Sequence, residues 1–272
     1  MQRIQQLLQS GLLALLAAVI TSSCTEDIKL NLKSAEPHLV IEGNLSNAPG
    51  PYTVKFSKSK AYYEGNDFEA VHADYVFIAD DAGTTDTLHE VNPGEYQTQL
   101  LNGVPGRTYH FQAQVEGKVY DAICQMPMPV QLDSLYFEAA IQGPGGPNNG
   151  ENTRLRCLFM DPADQDNYYR IATIENGLRN TNLRIANDRL FDGKLRDISA
   201  RAGDIQTGDT VQVELWSITE SIYNYYNVLN QNNFSNPINA SAAPANPPSN
   251  FSTDVLGYFN VYSFTTKTVI VP

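Results

Sequence analysis

Residues 108–125 read TYHFQAQVEGKVYDAICQ, and they set the class of fold. Apolar side chains occupy every second position from Tyr109 to Val115, the period expected of a strand with one buried and one solvated face. Glu116-Gly117 follows, and glycine at the second position of a two-residue loop accepts a positive φ without steric cost. With Lys118–Gln125 as the second strand, the stretch predicts a β-hairpin.

The same signal extends towards the N-terminus. Short runs rich in Val, Tyr, Phe and Thr, separated by turn residues, predict the strands Leu39–Gly43, Tyr52–Ser57, Ala73–Ala79, Thr87–Val91 and Glu95–Leu100. Together with the hairpin they predict an immunoglobulin-like or transthyretin-like β-sandwich over residues 38–129. Pro127 and Pro129 end this unit, because proline lacks an N–H group and has a fixed φ.

Residues 130–272 form a second predicted domain that is also rich in β-structure. Its strands are Leu132–Ala139, Arg154–Phe159, Tyr168–Ile174, Thr210–Leu215 and one or two strands within Gly257–Val271. One helix is predicted over residues 218–230, because Ser217 and Glu220 make a capping-box pattern and apolar side chains then recur at helical spacing. Residues 232–250 are almost entirely Asn, Ser, Ala and Pro, which is typical of a long flexible surface loop.

The N-terminus carries the pattern of a lipoprotein signal. Arg3 precedes an apolar run at positions 12–20, which is about nine residues long and far shorter than the roughly 20 that span a bilayer. Cys24 stands directly after the small residues that close this run. We expect residues 1–23 to be removed as a signal peptide, Cys24 to be acylated, and residues 24–37 to form a lipid tether. The alternative is an ordinary cysteine beyond a general secretory cleavage site.

Two acidic residues follow the predicted lipidated cysteine. Glu26 and Asp27 resemble the surface-export signal of Bacteroidota lipoproteins. This resemblance implies that the protein is lipid-anchored in the outer membrane and faces the cell exterior.

The charge of the chain limits its partners. With 18 basic and 30 acidic side chains, the formal net charge is −12. Such a chain repels phosphate backbones and anionic headgroups, which argues against nucleic-acid binding and against charge-driven membrane attachment. The attachment to the outer-membrane lipid is therefore assigned to the acyl chains.

The sequence contains no recognisable catalytic or nucleotide-binding motif, which argues against an enzyme and against a cofactor. Its four histidines have no metal-binding spacing, so no metal site is predicted from them. The acidic cluster Asp161, Asp164 and Asp166 could hold calcium or form a solvated turn, since the closing glutamate of a calcium loop is missing. Cys124 and Cys157 could pair in an oxidising compartment or remain as buried thiols.

Three Asp-Ser/Thr-apolar triplets resemble the O-glycosylation acceptor of Bacteroidota. The hydroxyl residues in question are Thr87, Ser134 and Thr210. A turn aspartate before a residue that favours strands gives the same pattern. Glycosylation and simple turn chemistry are therefore both open for these three residues.

Several short motifs, taken in order, resemble a known family. They are Leu39-Val40-Ile41-Glu42-Gly43-Asn44-Leu45, Gly94-Glu95-Tyr96, Gly106-Arg107-Thr108-Tyr109, Tyr223-Asn224-Tyr225-Tyr226 and Leu256-Gly257-Tyr258-Phe259. This order is similar to that of the Bacteroidota surface lipoproteins classed as domain of unknown function 4249 (DUF4249). The resemblance covers nearly the whole chain after Cys24 and implies a companion of a TonB-dependent receptor, with no established catalytic residues.

The resemblance favours an accessory or ligand-capturing lipoprotein that works with a TonB-dependent receptor. Aromatic side chains in loops could contact the ligand or the receptor, or could belong to the core; they are Tyr62, Tyr63, Phe68, Tyr226, Phe234 and Phe251. A structural or adhesive surface protein is the alternative function, and a surface hydrolase is a further one.

Overall fold

The computed structural model describes residues 36–60, 68–139, 153–200, 202–203, 205–233 and 245–272. Within these residues the chain is mainly β, with one helix, so the predicted fold class is confirmed. The described residues between 37 and 272 form one compact unit.

The elements in chain order are β1 (Leu39–Ser46), β2 (Thr53–Lys58), β3 (Tyr75–Asp80), β4 (Thr85–Thr87), β5 (His89–Asn92), β6 (Glu95–Gln97), β7 (Thr108–Val115), β8 (Lys118–Gln125), β9 (Ser134–Ala139), β10 (Thr153–Met160), β11 (Tyr168–Glu175), β12 (Leu178–Arg179), β13 (Arg184–Asn187), β14 (Leu195–Ser199), β15 (Thr210–Ile218), α1 (Glu220–Asn233) and β16 (Leu256–Ile270).

One nine-stranded sheet runs through both halves of the chain. Its strand order is β12-β11-β15-β16-β1-β2-β6-β5, and β13 also pairs with β11. The first and last strands lie side by side in parallel, with Ile41 opposite Gly257 and Leu45 opposite Val261. The final strand β16 also pairs antiparallel with β15. The last strand therefore joins the N-terminal half of the sheet to the C-terminal half.

A first hydrophobic core fills the space between the β1-β2 part of this sheet and the four-stranded sheet β4-β3-β7-β8. The alternating residues of β7 from Tyr109 to Val115 are all buried in it, as predicted. The predicted hairpin is also confirmed, since Val115 pairs with Lys118 across Glu116 and Gly117. Both loop residues have positive φ, 51° and 75°. The alternating apolar pattern and the two turn residues therefore specify the same hairpin.

A second core lies between β11, β15 and the three-stranded sheet β14-β10-β9. Val213 and Leu215 of β15 and Leu155 and Phe159 of β10 are all buried within it. A third cluster covers the opposite face of β15, where Trp216 and Ile218 pack with Ile222 of α1. The C-terminal half of the large sheet is thus covered on both faces.

The C-terminal end of the chain contributes to the first two cores. Phe259 and Val261 of β16 belong to the first core, whereas Val271, just after the strand, belongs to the second. The domain boundary predicted after Pro129 lies between the residues of the first core and those of the second. That the two halves are separate domains stays a prediction. The structure adds that one strand runs along both cores.

The helix begins later than predicted. It runs over Glu220–Asn233, and Ser217 belongs to strand β15. Thr219 is the N-cap residue, since its Oγ1 accepts a hydrogen bond from the N–H group of Ile222 at 3.5 Å. Strand pairing opposite Tyr169 and Ser263 holds Ser217 extended, which explains the difference. Among the described residues no helix has the length and hydropathy needed to cross a membrane.

The motif Gly106-Arg107-Thr108-Tyr109 contains one half of an ion pair whose carboxylate, Asp80, is buried. Arg107 Nη1 donates to Asp80 Oδ2 at 2.7 Å, and the Asp80 side chain is 1% exposed. Burial alone would raise the pKa of Asp80, but hydrogen bonds from Thr84 and Arg107 outweigh it and lower that pKa. The stabilisation from this carboxylate is therefore present at neutral pH and is lost as the pH falls through its folded-state pKa.

We expect Arg107→Ala to lower the free energy of unfolding at neutral pH by about 2 kcal/mol. This is less than the ~3–5 kcal/mol of a fully buried pair, because Asp80 keeps two backbone donors and the arginine is partly exposed. Urea denaturation of the full chain measures the change. The exposed pair Lys55–Glu95 supplies the control, Lys55→Ala, which we expect to cost about 1 kcal/mol or less. Equal losses for the two variants would contradict this account of Asp80.

Candidate functional site

A cavity of about 370 Å³ opens where the first core gives way to the second. One wall runs from Gln125, the last residue of β8, through the irregular segment 126–130, and the other walls come from residues 165–168 and 217–220. Volumes of about 300–1,000 Å³ are typical of small-molecule sites in proteins. This cavity is therefore the candidate functional site.

The wall at residues 126–130 is shaped by its two prolines. Met126 exchanges backbone hydrogen bonds with Gly106 and Arg107 at 2.8 Å, which extends the pairing of β7 and β8 by one step. Pro127 and Pro129 then offer no N–H group, so the ladder stops. The chain is fixed again at Val130, whose carbonyl accepts from Thr265 Oγ1 at 2.7 Å. The segment between the two anchor points forms the cavity wall.

A buried serine lies in the lining of this cavity. Ser217 is 5% exposed, and its Oγ has no hydrogen-bond partner among the described residues. Its cross-strand neighbour Ser263 is fully buried and its Oγ is also without a partner in the described part of the chain. An unsatisfied buried polar group costs about 1–3 kcal/mol. The Oγ atom of Ser217 has less than 1 Å² of accessible surface, so the cavity does not reach this hydroxyl.

The cavity is acidic. Asp166 and Glu220 supply its carboxylates, and no lysine, arginine or histidine belongs to its lining as far as the structure describes it. Glu220 lies in the first turn of α1, where a negative charge is favoured by the positive end of the helix dipole. Burial raises the pKa of the neighbouring Tyr168, and the charge of Glu220 raises it further.

A second group of carboxylates lies beside the cavity. Oxygen atoms of Asp161, Asp188 and Asp192 all lie within 4.8 Å of one another, and the first two residues are buried. Of the predicted cluster, only Asp161 belongs to this group; Asp164 contacts it through its backbone N–H, which donates to Asp192 at 3.0 Å. Carboxylate oxygens in such an array are ligands that calcium prefers.

Hydrogen bonds within the protein already use this group. Asp161 accepts from the Tyr169 hydroxyl at 2.5 Å and from the N–H group of Gly193 at 3.1 Å. Asp188 accepts from the backbone N–H of Asn167 at 2.7 Å. Burial raises the pKa of Asp161. The cluster therefore orders the turn at residues 161–167, which forms part of the cavity wall, and calcium binding stays an open prediction.

The disulfide alternative is wrong. Cys124 and Cys157 are free thiols, and they lie in different hydrophobic cores. The thiol of Cys124 donates to the carbonyl of Phe259 and that of Cys157 to the carbonyl of Ile198, both at 3.3 Å. Burial raises the pKa of each thiol to about 11. Both residues act as small hydrophobic side chains rather than as nucleophiles.

Two of the aromatic residues predicted as contacts are core residues. Tyr226 is 4% exposed, and the Arg170 guanidinium lies over its ring at 5.0 Å. Phe251 is partly buried and packs against Phe111, with ring centroids 5.5 Å apart. Phe68 is 64% exposed, so its contact role stays a prediction.

The remaining predicted residues differ in what the structure shows of them. The hydroxyl residues Thr87, Ser134 and Thr210 are exposed, and their glycosylation stays a prediction. Each preceding aspartate accepts backbone hydrogen bonds, but only Asp209 does so within a local turn, from Gln206. Asp133 accepts from the distant Met160, and Asp86, which lies within β4, accepts three from residues 99–101. The predicted residues outside the described part of the chain are Cys24, Glu26, Asp27, Tyr62, Tyr63 and Phe234.

Sequence patterns do not reveal the main residues of the cavity and of the acidic group. The capping-box pattern places Ser217 at a helix start, although its position in the strand register is what brings it to the cavity. Asp188 and Asp192 lie more than twenty positions from Asp161, and only the folding of the β13–β14 connection brings them together. The density of aspartates on both stretches is the one signal that points to this group.

Comparison with known proteins gives one family. The model of a family described as Domain of unknown function (DUF4249) matches residues 25–268. No curated protein matches the chain. The matched range contains every described strand except the end of β16.

Proposed function

The chain belongs to the DUF4249 family, and on that basis we propose that it is a lipid-anchored outer-membrane protein that captures a ligand beside a TonB-dependent receptor. The observation that carries the capture role is the cavity of about 370 Å³, a volume typical of small-molecule sites.

The predicted anchor supports this role. Acyl chains on Cys24 contribute about 0.8 kcal/mol per buried methylene group, so a multiply acylated cysteine holds the chain at the membrane. The first strand begins at Leu39, and the intervening residues span at most about 50 Å when fully extended. A tether of this reach gives effective concentrations in the millimolar range at a neighbouring receptor. Weak affinity for the receptor is then sufficient.

The chemistry of the described residues agrees with capture rather than covalent catalysis by a thiol. Cys124 and Cys157 are buried, and their raised pKa of about 11 keeps both protonated at neutral pH. The charge of the chain, −12, leaves the lipid as the means of membrane attachment. Binding and placement are therefore the functions we assign.

Affinity purification tests the proposed partnership. The full lipidated chain is isolated from its native cells in mild detergent, and co-purifying proteins are identified by mass spectrometry. An unrelated outer-membrane lipoprotein of similar abundance serves as the control bait. We expect a TonB-dependent receptor to be enriched with this chain over the control. Absence of any such receptor would contradict the proposal.

Replacing Glu26 and Asp27 with alanine should retain the protein on the periplasmic side. If the acidic pair acts as the export signal, its loss removes recognition and leaves all of the described residues, the first of which is residue 36, unchanged. Protease shaving of intact cells measures the exposed fraction. We expect the wild-type chain to be cleaved and the double variant to be protected. The matched variant Glu36→Ala should remain cleavable, and protection of the wild type would refute surface placement.

A further inference from the structure

Strand β14 has one backbone edge without a partner strand. Among the described strands it pairs with β10 alone. On that side, the N–H group of Ala200 donates to the carbonyl of Leu155 at 2.9 Å, and that of Asp161 donates to the carbonyl of Lys194 at 3.1 Å. Because successive residues of an antiparallel strand point their backbone groups to opposite sides, the odd-numbered residues of β14 point theirs away from β10. These residues are Leu195, Asp197 and Ser199.

The outward backbone groups of β14 border a second cavity. All five residues of the strand line this cavity of about 250 Å³, so it runs along the strand edge, and we call it the edge cavity. The N–H groups of Leu195, Asp197 and Ser199 have no hydrogen-bond partner among the described residues. The carbonyl of Asp197 accepts from Arg156 Nη2 at 3.1 Å. A strand edge with free N–H groups is a template on which an extended peptide adds a further strand.

Strand β13 forms the opposite wall of the edge cavity. In the described sheet β13 pairs with β11 alone, and Arg184 and Ala186 of β13 line the cavity. Arg196 Nη1 donates to the carbonyl of Asn187 at 2.7 Å, which links β14 to β13 beside the segment that connects them. The edge cavity therefore borders two strands that are held together at one end.

The edge cavity is positively charged in an otherwise acidic chain. Its described lining residues include the three arginines Arg156, Arg184 and Arg196 but only one carboxylate, that of Asp197. Arg156 Nε donates to this carboxylate at 2.9 Å, and the Tyr136 hydroxyl donates to it at 2.7 Å. The one acidic group of the lining is thus already used, while the chain as a whole carries a net charge of −12.

Arg196 adds a buried charge to this lining. The residue is only 7% exposed, and it forms no salt bridge with a described carboxylate. Asp161 is near enough to interact with it electrostatically, but the oxygens of Asp161 accept hydrogen bonds from Tyr169 and Gly193. Complementary charge favours association and suppresses partners of like charge, so this lining selects an acidic partner.

From these observations we propose that β14 binds an extended acidic segment of a second protein, which adds as a strand along its free edge. A strand of five residues is about 16 Å long, so a segment of about five residues covers the edge. Its carbonyl groups accept from the outward N–H groups, and an acidic side chain lies beside Arg184. An internal segment fits better than a free short peptide, whose N-terminal ammonium group would lie near the arginines. This binding goes beyond the capture role, because it concerns a different cavity.

The peptide Val-Glu-Val-Glu-Val, acetylated and amidated at its ends, is the probe of this binding. Isothermal titration of the full chain in mild detergent measures its affinity. We expect the same peptide with glutamine in place of glutamate to bind about tenfold more weakly, because hydrogen bonds between charged groups are stronger than neutral ones. Saturating probe should also slow hydrogen exchange of the amides at residues 195, 197 and 199.

Two modified probes test the backbone pairing and the kind of partner. N-methylation of either the glutamates or the valines blocks the N–H groups on one edge of the peptide. The methylated peptide whose blocked edge faces β14 should bind about tenfold more weakly than the probe. The probe with free ends should also bind more weakly than the blocked one, whereas tighter binding would contradict an internal segment.

Replacements in the protein locate the site. Ser199→Pro removes one outward N–H group, and proline is tolerated on a strand edge, so the probe should bind severalfold more weakly. Ser199→Ala keeps this N–H group and should bind as the wild type does. Arg184→Gln should weaken binding of the glutamate peptide about tenfold and leave that of the glutamine peptide unchanged. Arg189→Gln is the matched control, because Arg189 is exposed and lies outside the lining of the edge cavity.

The contrary results are specific. Equal binding of the glutamate and glutamine peptides, unweakened binding of both N-methylated peptides, or unchanged exchange of the β14 amides would overturn the proposal. The peptide comparisons use the wild-type chain, so they decide the matter even if Ser199→Pro fails to fold. Co-purification of a receptor tests the proposed partnership separately, so either proposal can fail while the other stands.

Discussion

Gly257→Ala is expected to lower the free energy of unfolding by about 4 kcal/mol. Gly257 has a φ of +98°, and a Cβ atom there would lie 2.0 Å from the backbone oxygen of Ile41. Backbone strain of a non-glycine residue costs about 1–3 kcal/mol, and overpacking adds about 1–3 kcal/mol. This contact lies within the parallel pairing of β1 and β16. The added Cβ atom could be accommodated only if the two strands, which join the two halves of the large sheet, moved apart.

Urea denaturation of the full chain, followed by circular dichroism, measures this loss. Gly208→Ala is the matched control, because Gly208 has a similar φ of +93°, but a Cβ atom added there would meet no other atom within 4 Å. We expect the control to lose only the strain contribution, about 1 kcal/mol. If both variants lost a similar amount of unfolding free energy, the close contact between residue 257 and the backbone of Ile41 would not be the cause of the loss.

Cys24→Ser is expected to remove the protein from the outer membrane. Under the proposed anchoring, loss of this thiol leaves no site for acyl chains, and their membrane-buried methylene groups, each contributing about 0.8 kcal/mol, are lost together. Intact-mass measurement should show the acyl mass on the wild-type chain and none on the variant. Membrane fractionation should show the corresponding loss from the outer-membrane fraction.

Cys124→Ser is the control for this experiment. Its thiol is buried in the first core and donates to the carbonyl of Phe259, a role that a serine hydroxyl can take. The control variant should therefore keep both its acyl mass and its membrane fraction. A wild-type chain of unmodified mass, or an acylated Cys24→Ser chain, would show that the anchor lies elsewhere.

The parts of the fold that follow from local rules could be predicted from the sequence. The hairpin of β7 and β8 has both its strand bounds as predicted, because alternation and the Glu116-Gly117 loop specify the same register. The start of α1 could not be found in this way. Ser217 and Thr219 are both suitable N-cap residues, and tertiary pairing of β15 decides between them.

Strand β14 is not predicted from the sequence, because its first apolar residue is exposed and the charged residue after it is buried. Arg196 is buried, with its Nη1 donating to the carbonyl of Asn187 at 2.7 Å and its guanidinium 4.4 Å from the ring of Phe191. The neighbouring Leu195 is 54% exposed. A hydrophobic pattern has no means of marking a strand whose arginine faces inward and whose leucine faces solvent.

The candidate cavity depends on long-range pairing, and for that reason local motifs could not define it. Its walls come from three segments that are far apart in the chain, around residues 126–130, 165–168 and 217–220. Two of the family-like motifs, Leu256-Gly257-Tyr258-Phe259 and Gly94-Glu95-Tyr96, contain a glycine that the structure explains. Gly257 meets the backbone of Ile41, and Gly94 would place a Cβ atom 2.5 Å from the oxygen of Phe56. Their glycines are required by close backbone approach.

Chemical cross-linking on intact cells, followed by mass spectrometry, tests the proposed role most directly. An impermeable lysine-reactive reagent reaches only surface proteins, and Lys118 and Lys194 are exposed on the described chain. We predict cross-links from these lysines to extracellular segments of a TonB-dependent receptor. Cross-links found only after the outer membrane is opened, and only to periplasmic proteins, would contradict both the surface placement and the partnership.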